Sequence, residues 1–137
     1  MKRYILILVA ILSLSSCSLD DDSDSLSFYP TLVAIDDAVV PEEFQLGESY
    51  EITIDYTLPN ACYSFNDIYY EYDQNTRIVA VRVLVTNDTS CTQATIEEQY
   101  TFTVQVTQTE PYVFKFWQGE DNQGNNQYLI VEVPVVE

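Results

Sequence analysis

Residues 47–59 read GESYEITIDYTLP, in which Tyr50, Ile52, Ile54, Tyr56 and Leu58 alternate with Glu51, Thr53, Asp55 and Thr57. Successive side chains of a strand point to opposite faces, so this period of two marks a strand with one face in a core and the other in water. Gly47 and Pro59 bound it with turn chemistry. Residues 77–86, RIVAVRVLVT, place Val79, Val81, Val83 and Val85 on one face. The residues between them are apolar enough for the second face to be partly covered too, as in a central strand.

Outward from these two segments the punctuation repeats. Thr31 to Val40 is an apolar run interrupted at Asp36 and Asp37 and ended by Pro41. Cys62 to Asp73 is rich in aromatic residues, with a bulge or turn expected near Asn66 and Asp67. Thr95 to Thr107 directs Ile96, Tyr100, Phe102, Val104 and Val106 toward the core, and Tyr112 to Trp117 aligns Tyr112, Phe114 and Phe116. Residues 118–127, QGEDNQGNNQ, form a loop, and Tyr128 to Val136 closes the domain as a strand stopped at Pro134. No segment has the period of an amphipathic helix of ten or more residues. About seven short strands at spacings of ~10 residues predict an all-β, antiparallel two-sheet sandwich, with a jelly roll or small barrel as the alternative. The order and length resemble an immunoglobulin-like or fibronectin-like module, a likeness of fold that implies no function.

The chain has 137 residues, with 22 acidic residues against 5 basic ones and no histidine, for a net charge of -17. That length suits one domain. Such a surface repels phosphate backbones, which argues against nucleic acid as a partner. Missing histidine excludes Ser-His-Asp and Cys-His catalysis and the histidine-bearing zinc patterns. Three glycines, Gly47, Gly119 and Gly124, make no phosphate-cradling loop.

The first residues have a different character. Lys2 and Arg3 precede an apolar run from Tyr4 to Leu12, shorter than the ~20 residues that span a bilayer. Leu14, Ser15, Ser16 and Cys17 resemble the bacterial lipobox. That resemblance implies removal of residues 1–16 as a lipoprotein signal peptide and lipidation of the Cys17 thiol; an ordinary secretory signal cut near Ser16 is the alternative. Residues 17–28 then read as a lipidated cysteine and flexible acidic tether, and residues 29–137 as a single β-sandwich domain. Beyond Cys17 only Arg77, Arg82 and Lys115 are basic, against all 22 acidic residues, a balance of -19. Ser18 resembles outer-membrane sorting, and Asp20 to Asp22 resemble the export signal of Bacteroidetes surface lipoproteins, without the lysine many of those carry. Asp24, Ser25 and Leu26 resemble the three-residue O-glycosylation motif of the same group. The resemblance is thus to small acidic Bacteroidetes-type surface lipoproteins. It implies an outer-membrane or cell-surface location through the N-terminal lipid.

With Cys17 taken by lipid, Cys62 and Cys91 remain as a pair, expected to form a disulfide in an oxidising compartment. Both sit beside turns, which predicts a staple at one end of the sandwich. Closing a loop of ~29 residues contributes roughly 3.6 kcal/mol in the chain-entropy account.

Candidate sites are few. The adjacent carboxylates Asp36 with Asp37, Glu42 with Glu43, and Glu97 with Glu98 are poor catalytic pairs on their own, because neighbours on a strand face opposite ways. Glu120, Asp121, Asn122 and Asn125, with Asn126, concentrate oxygen donors in one loop as calcium requires, without the spacing of an EF-hand. Eleven tyrosines are an unusual load, and Trp117, Tyr69, Tyr70 and Tyr72 are the candidates for a ligand surface that stacks on sugar rings or docks a protein. The expected function is therefore a non-enzymatic envelope lipoprotein, a protein- or glycan-binding or accessory module. The alternatives are a calcium-stabilised, adhesion-like structural domain and, after it, a carboxylate-dependent glycan hydrolase.

Overall fold

The computed structural model describes residues 26–88 and 90–137. The expected signal peptide, the lipidated Cys17, the acidic cluster and most of the tether lie outside the described residues.

Ten strands follow in order: β1 (Phe28–Val33), β2 (Ile35–Val39), β3 (Phe44–Gln45), β4 (Ser49–Leu58), β5 (Tyr63–Asp73), β6 (Thr76–Thr86), β7 (Ile96–Gln105), β8 (Tyr112–Glu120), β9 (Asn126–Val133) and β10 (Val135–Val136). They build an all-β sandwich-like fold of a five-stranded sheet, a three-stranded sheet in the order β2-β4-β7, and a two-residue pairing of β3 with β10. In the five-stranded sheet β6 is central. One of its edges carries β5, and the other carries β1 along its C-terminal half and β8 along its N-terminal half, with β9 beyond β8.

Two features correct the expectation of about seven antiparallel strands in two sheets. First, β8 runs parallel to β6, with Thr76 opposite Val113 and Val79 opposite Phe116. A parallel neighbour needs a long return, and here β7 supplies it from the other sheet. This pairing departs from the all-antiparallel immunoglobulin-like arrangement. Second, two expected strands are each divided. Val33 pairs with Val81 in one sheet and Ile35 with Tyr56 in the other, so the chain changes sheets at Ala34. At the C-terminus Pro134 ends the pairing with β8, and Val135 opposite Phe44 starts the small third sheet.

The alternations at β4 and β6 set the core. Ile52, Ile54, Tyr56 and Leu58 of β4 face Val79, Val81, Val83 and Val85 of β6, all buried. Phe44 meets Tyr112 and Phe114 edge-on, with centroids 5.3 and 6.1 Å apart, and Phe114 stacks on Phe116 at 5.8 Å. Ile96, expected in the core, is 38 % exposed because it lies at the first position of β7. The bulge anticipated near Asn66 is present as a register shift between Phe65 and Asp67. The disulfide joins Cys62 to Cys91 with Cα atoms 5.4 Å apart. It ties the turn before β5 to the connection between β6 and β7. Among the described residues no helix is long and apolar enough to cross a membrane.

Candidate functional site

Alternation on β5 divides the four residues expected to share a ligand surface. Tyr69 lies opposite Ala80, on the outer face of the five-stranded sheet, while Tyr70 and Tyr72 lie opposite Val79 and Arg77 on the inner face. Trp117 joins Tyr69. It pairs with Tyr128 on β9 and follows Phe116, which is aligned with the inward-facing Val79, so Trp117 and Tyr128 lie on the outer face. Tyr69, Trp117 and Tyr128 therefore share the outer face, with Tyr128 a member that sequence reading did not single out. Ala80 is 2 % exposed even on this face, a small side chain screened by larger neighbours.

Polar groups orient these rings. The Trp117 Nε1–H donates to Asn126 Oδ1 at 3.0 Å, and the Lys115 ammonium lies 4.4 Å from the Tyr128 centroid. The Tyr69 hydroxyl donates to Glu71, and that bond pushes its pKa up. Beside it Arg82 makes a two-point pair with Asp67, at 2.5 and 2.6 Å. The Arg82 guanidinium holds the Asp67 carboxyl below its usual range. The face thus combines aromatic rings with a rim of both charges.

The inner face opens at its β5 edge into a groove of about 440 Å³ between β5 and β7. Ile68, Tyr70, Phe102 and Val104 wall it, with Tyr72 and Arg77 toward one end. Arg77 is 5 % exposed. Its Nη1 donates to the carbonyls of Gln74 and Thr76 at 2.8 and 3.0 Å, and its Nη2 to Gln108 Oε1 at 2.8 Å. Its guanidinium carbon stands 4.4 Å from the Tyr72 centroid and 5.0 Å from that of Tyr112. Burial pushes the Tyr70 hydroxyl up to about 12, an effect the Arg77 charge opposes.

The three-stranded sheet gathers carboxylates that sequence neighbours alone could not. Asp36, Asp37, Asp55, Glu97 and Glu98 line a groove of about 600 Å³. Asp37 and Asp55 are directly opposed across β2 and β4, an unfavourable like-charge pair, and Asp55 Oδ1 is buried without a hydrogen-bond partner. The Tyr56 hydroxyl donates to Glu98 at 2.8 Å, and Thr57 donates to Asp36 at 2.7 Å. Burial, reinforced by Glu98, raises the Tyr56 pKa. Tyr56 is the one aromatic side chain among the residues that line this groove.

In the expected calcium loop, Asp121 commits its carboxylate to the turn. Oδ1 accepts the backbone N–H groups of Gln123 and Asn125 at 2.8 and 2.9 Å, and Oδ2 accepts from the side chains of Asn125 and Gln127. Those bonds hold its pKa low. Glu120 pairs with Asn126 at the mouth of the loop, and Gly124 takes a positive φ of 80° within it. Among the described residues no three Asp, Glu or Cys side chains gather to hold an ion.

No curated protein and no solved structure matches the chain. A family model described as the ORF11 beta-sandwich domain matches residues 52–130, from within β4 to within β9. That span is more than half of the chain and carries the central β6 and the outward-facing aromatic residues, and the chain belongs to this β-sandwich family.

Proposed function

We propose that the protein is a non-enzymatic envelope lipoprotein, held by lipid on Cys17 at the outer membrane or cell surface, whose domain binds an envelope protein or glycan. The observation that carries this reading is the set of aromatic side chains Tyr69, Trp117 and Tyr128 on the outer face of the five-stranded sheet. Aromatic rings on a rigid sheet offer flat apolar area at small entropic cost, and Asn126, Lys115, Glu71 and Arg82 around them supply directional polar contacts. The lipobox resemblance at Cys17 and the acidic surface fit display outside the cell.

The test is capture of partners from solubilised envelope by the full chain, with Trp117→Ala and Tyr69→Ala alongside. The reading predicts a captured component that both variants lose, and protease or glycosidase treatment of the captured material tells protein from glycan. Capture that is unchanged in both variants sinks the outer face as the site. Cys17→Ser is expected to move the protein from the membrane to the soluble fraction.

A further inference from the structure

We propose a second binding site on the opposite face: the groove between β5 and β7 receives the C-terminal residues of a partner polypeptide as an added strand, with the free α-carboxylate on Arg77. Three independent observations converge on this. Five strands face only three, so the inner face of β5 extends past its covering sheet, and Ile68, Tyr70 and Phe102 are left half-buried along the groove. The covering sheet ends at β7 among the described residues, and four consecutive residues, Phe102 to Gln105, line the groove. Residues of both parities line it together, so it is the strand's free edge that faces the opening, a template for main-chain pairing.

The third observation is Arg77. It is a buried cation in a chain with 22 acidic residues, yet its acceptors are two carbonyls and an amide, and the ion pair of the described residues is Arg82 with Asp67. Buried charges are ordinarily paired with an opposite charge. A guanidinium has five N–H donors; three go to these acceptors and a fourth reaches the Tyr70 hydroxyl, which leaves one for a carboxylate oxygen. The Tyr72 and Tyr112 rings keep it fixed on two sides.

Geometry sets the direction of the added strand. Arg77 reaches Gln108, just beyond the C-terminal end of β7, while Ile68 and Tyr70 lie in the groove with Phe102. A strand ending in a carboxylate at Arg77 must therefore run parallel to β7, its final apolar side chains against Tyr70 and Phe102. The net charge of -17 disfavours a polyanion, so the ligand brings a single terminal carboxylate on a neutral or basic segment.

The test uses the full chain and fluorescein-labelled hexapeptides of alternating threonine and valine, ending in valine, leucine, phenylalanine or tyrosine. Each is made as the free acid and as the C-terminal amide, and binding is read by fluorescence polarisation. The proposal expects saturable binding of at least one free acid, at least tenfold weaker binding of its amide, and weakening by Tyr72→Ala. Tyr72 is 71 % exposed, so that variant keeps the fold, and the acid–amide comparison leaves the protein untouched. Equal binding of acid and amide, or no saturable binding of any peptide up to about 1 mM (a weak affinity of ~4 kcal/mol), overturns it. Trp117→Ala separates this site from the outer face: peptide binding lost in that variant also overturns the groove assignment, whereas failure of the peptides leaves envelope capture by the outer face untouched.

Discussion

Arg77 and Arg82 stand five residues apart on the same strand, yet one enters the sandwich and the other faces water. Arg82 has a carboxylate partner at 2.5 Å, and both side chains of that pair remain 40 to 48 % exposed. Arg77 has no such partner among the described residues, but its donors close the β5–β6 turn, reach the segment before β8 and lie between two aromatic rings. An ion pair in water gains little, because water already solvates both ends and the long side chains lose freedom. A buried guanidinium that satisfies several backbone and amide acceptors contributes more, because water competes less for its part-buried bonds. The contrast shows that the stronger-looking contact by distance is the weaker one by environment.

The largest expected effect follows from that contrast. Arg77→Met keeps apolar volume and removes the donors, and it is expected to cost about 3 kcal/mol in urea unfolding. Arg82→Ala should cost a small fraction of that. Equal losses in the two variants break the comparison.

A smaller effect sharpens it at the turn that Arg77 closes. Gln74 occupies the left-handed region at φ 57°, which costs a side-chain-bearing residue roughly 1–2 kcal/mol, and the bond from Arg77 to its carbonyl helps hold it there. Gln74→Gly is expected to stabilise the protein by about 1 kcal/mol. The same change should recover a similar amount in the Arg77→Met background. An equal gain in both backgrounds means that the turn and the guanidinium act independently, and no recovery in Arg77→Met would mean that they are coupled.

The sequence pattern made much of this legible. The alternation in 49–58 and 77–86 names the core strands, and two cysteines beside turns name the staple. The parity that aligns Val79, Val81, Val83 and Val85 also puts Arg77 in phase with them and Arg82 out of phase, so the pattern alone separates the buried cation from the exposed one. Parity likewise separates Tyr69 from Tyr70 and Tyr72, although proximity in sequence groups them. The remaining features are non-local. The parallel pairing of β6 with β8 leaves no mark on either strand, since alternation tells which face is buried and not which neighbour sits alongside. The change of sheet at Ala34 is hidden in one continuous apolar run, and the acidic groove arises only when β2, β4 and β7 come together.

The smallest effect concerns acid. Arg82 holds the Asp67 pKa below its unfolded value, so the pair's contribution is complete above the ordinary carboxylate range. It is lost as pH falls through the depressed folded value, where the native state must also take up the proton. The modest cost of Arg82→Ala at neutral pH should therefore shrink on acidification and vanish once Asp67 is protonated in both states. At about 1 M salt, where the screening length falls to ~3 Å, it should shrink at neutral pH as well. Arg77 bonds to carbonyls and an amide that do not titrate in acid, so the cost of Arg77→Met should stay level across the same pH range. Urea unfolding of both variants from neutral pH into acid reads the two behaviours side by side. An Arg77→Met cost that falls in step with that of Arg82→Ala would reveal a carboxylate partner for Arg77, and with it a different reason for burying a cation on this strand.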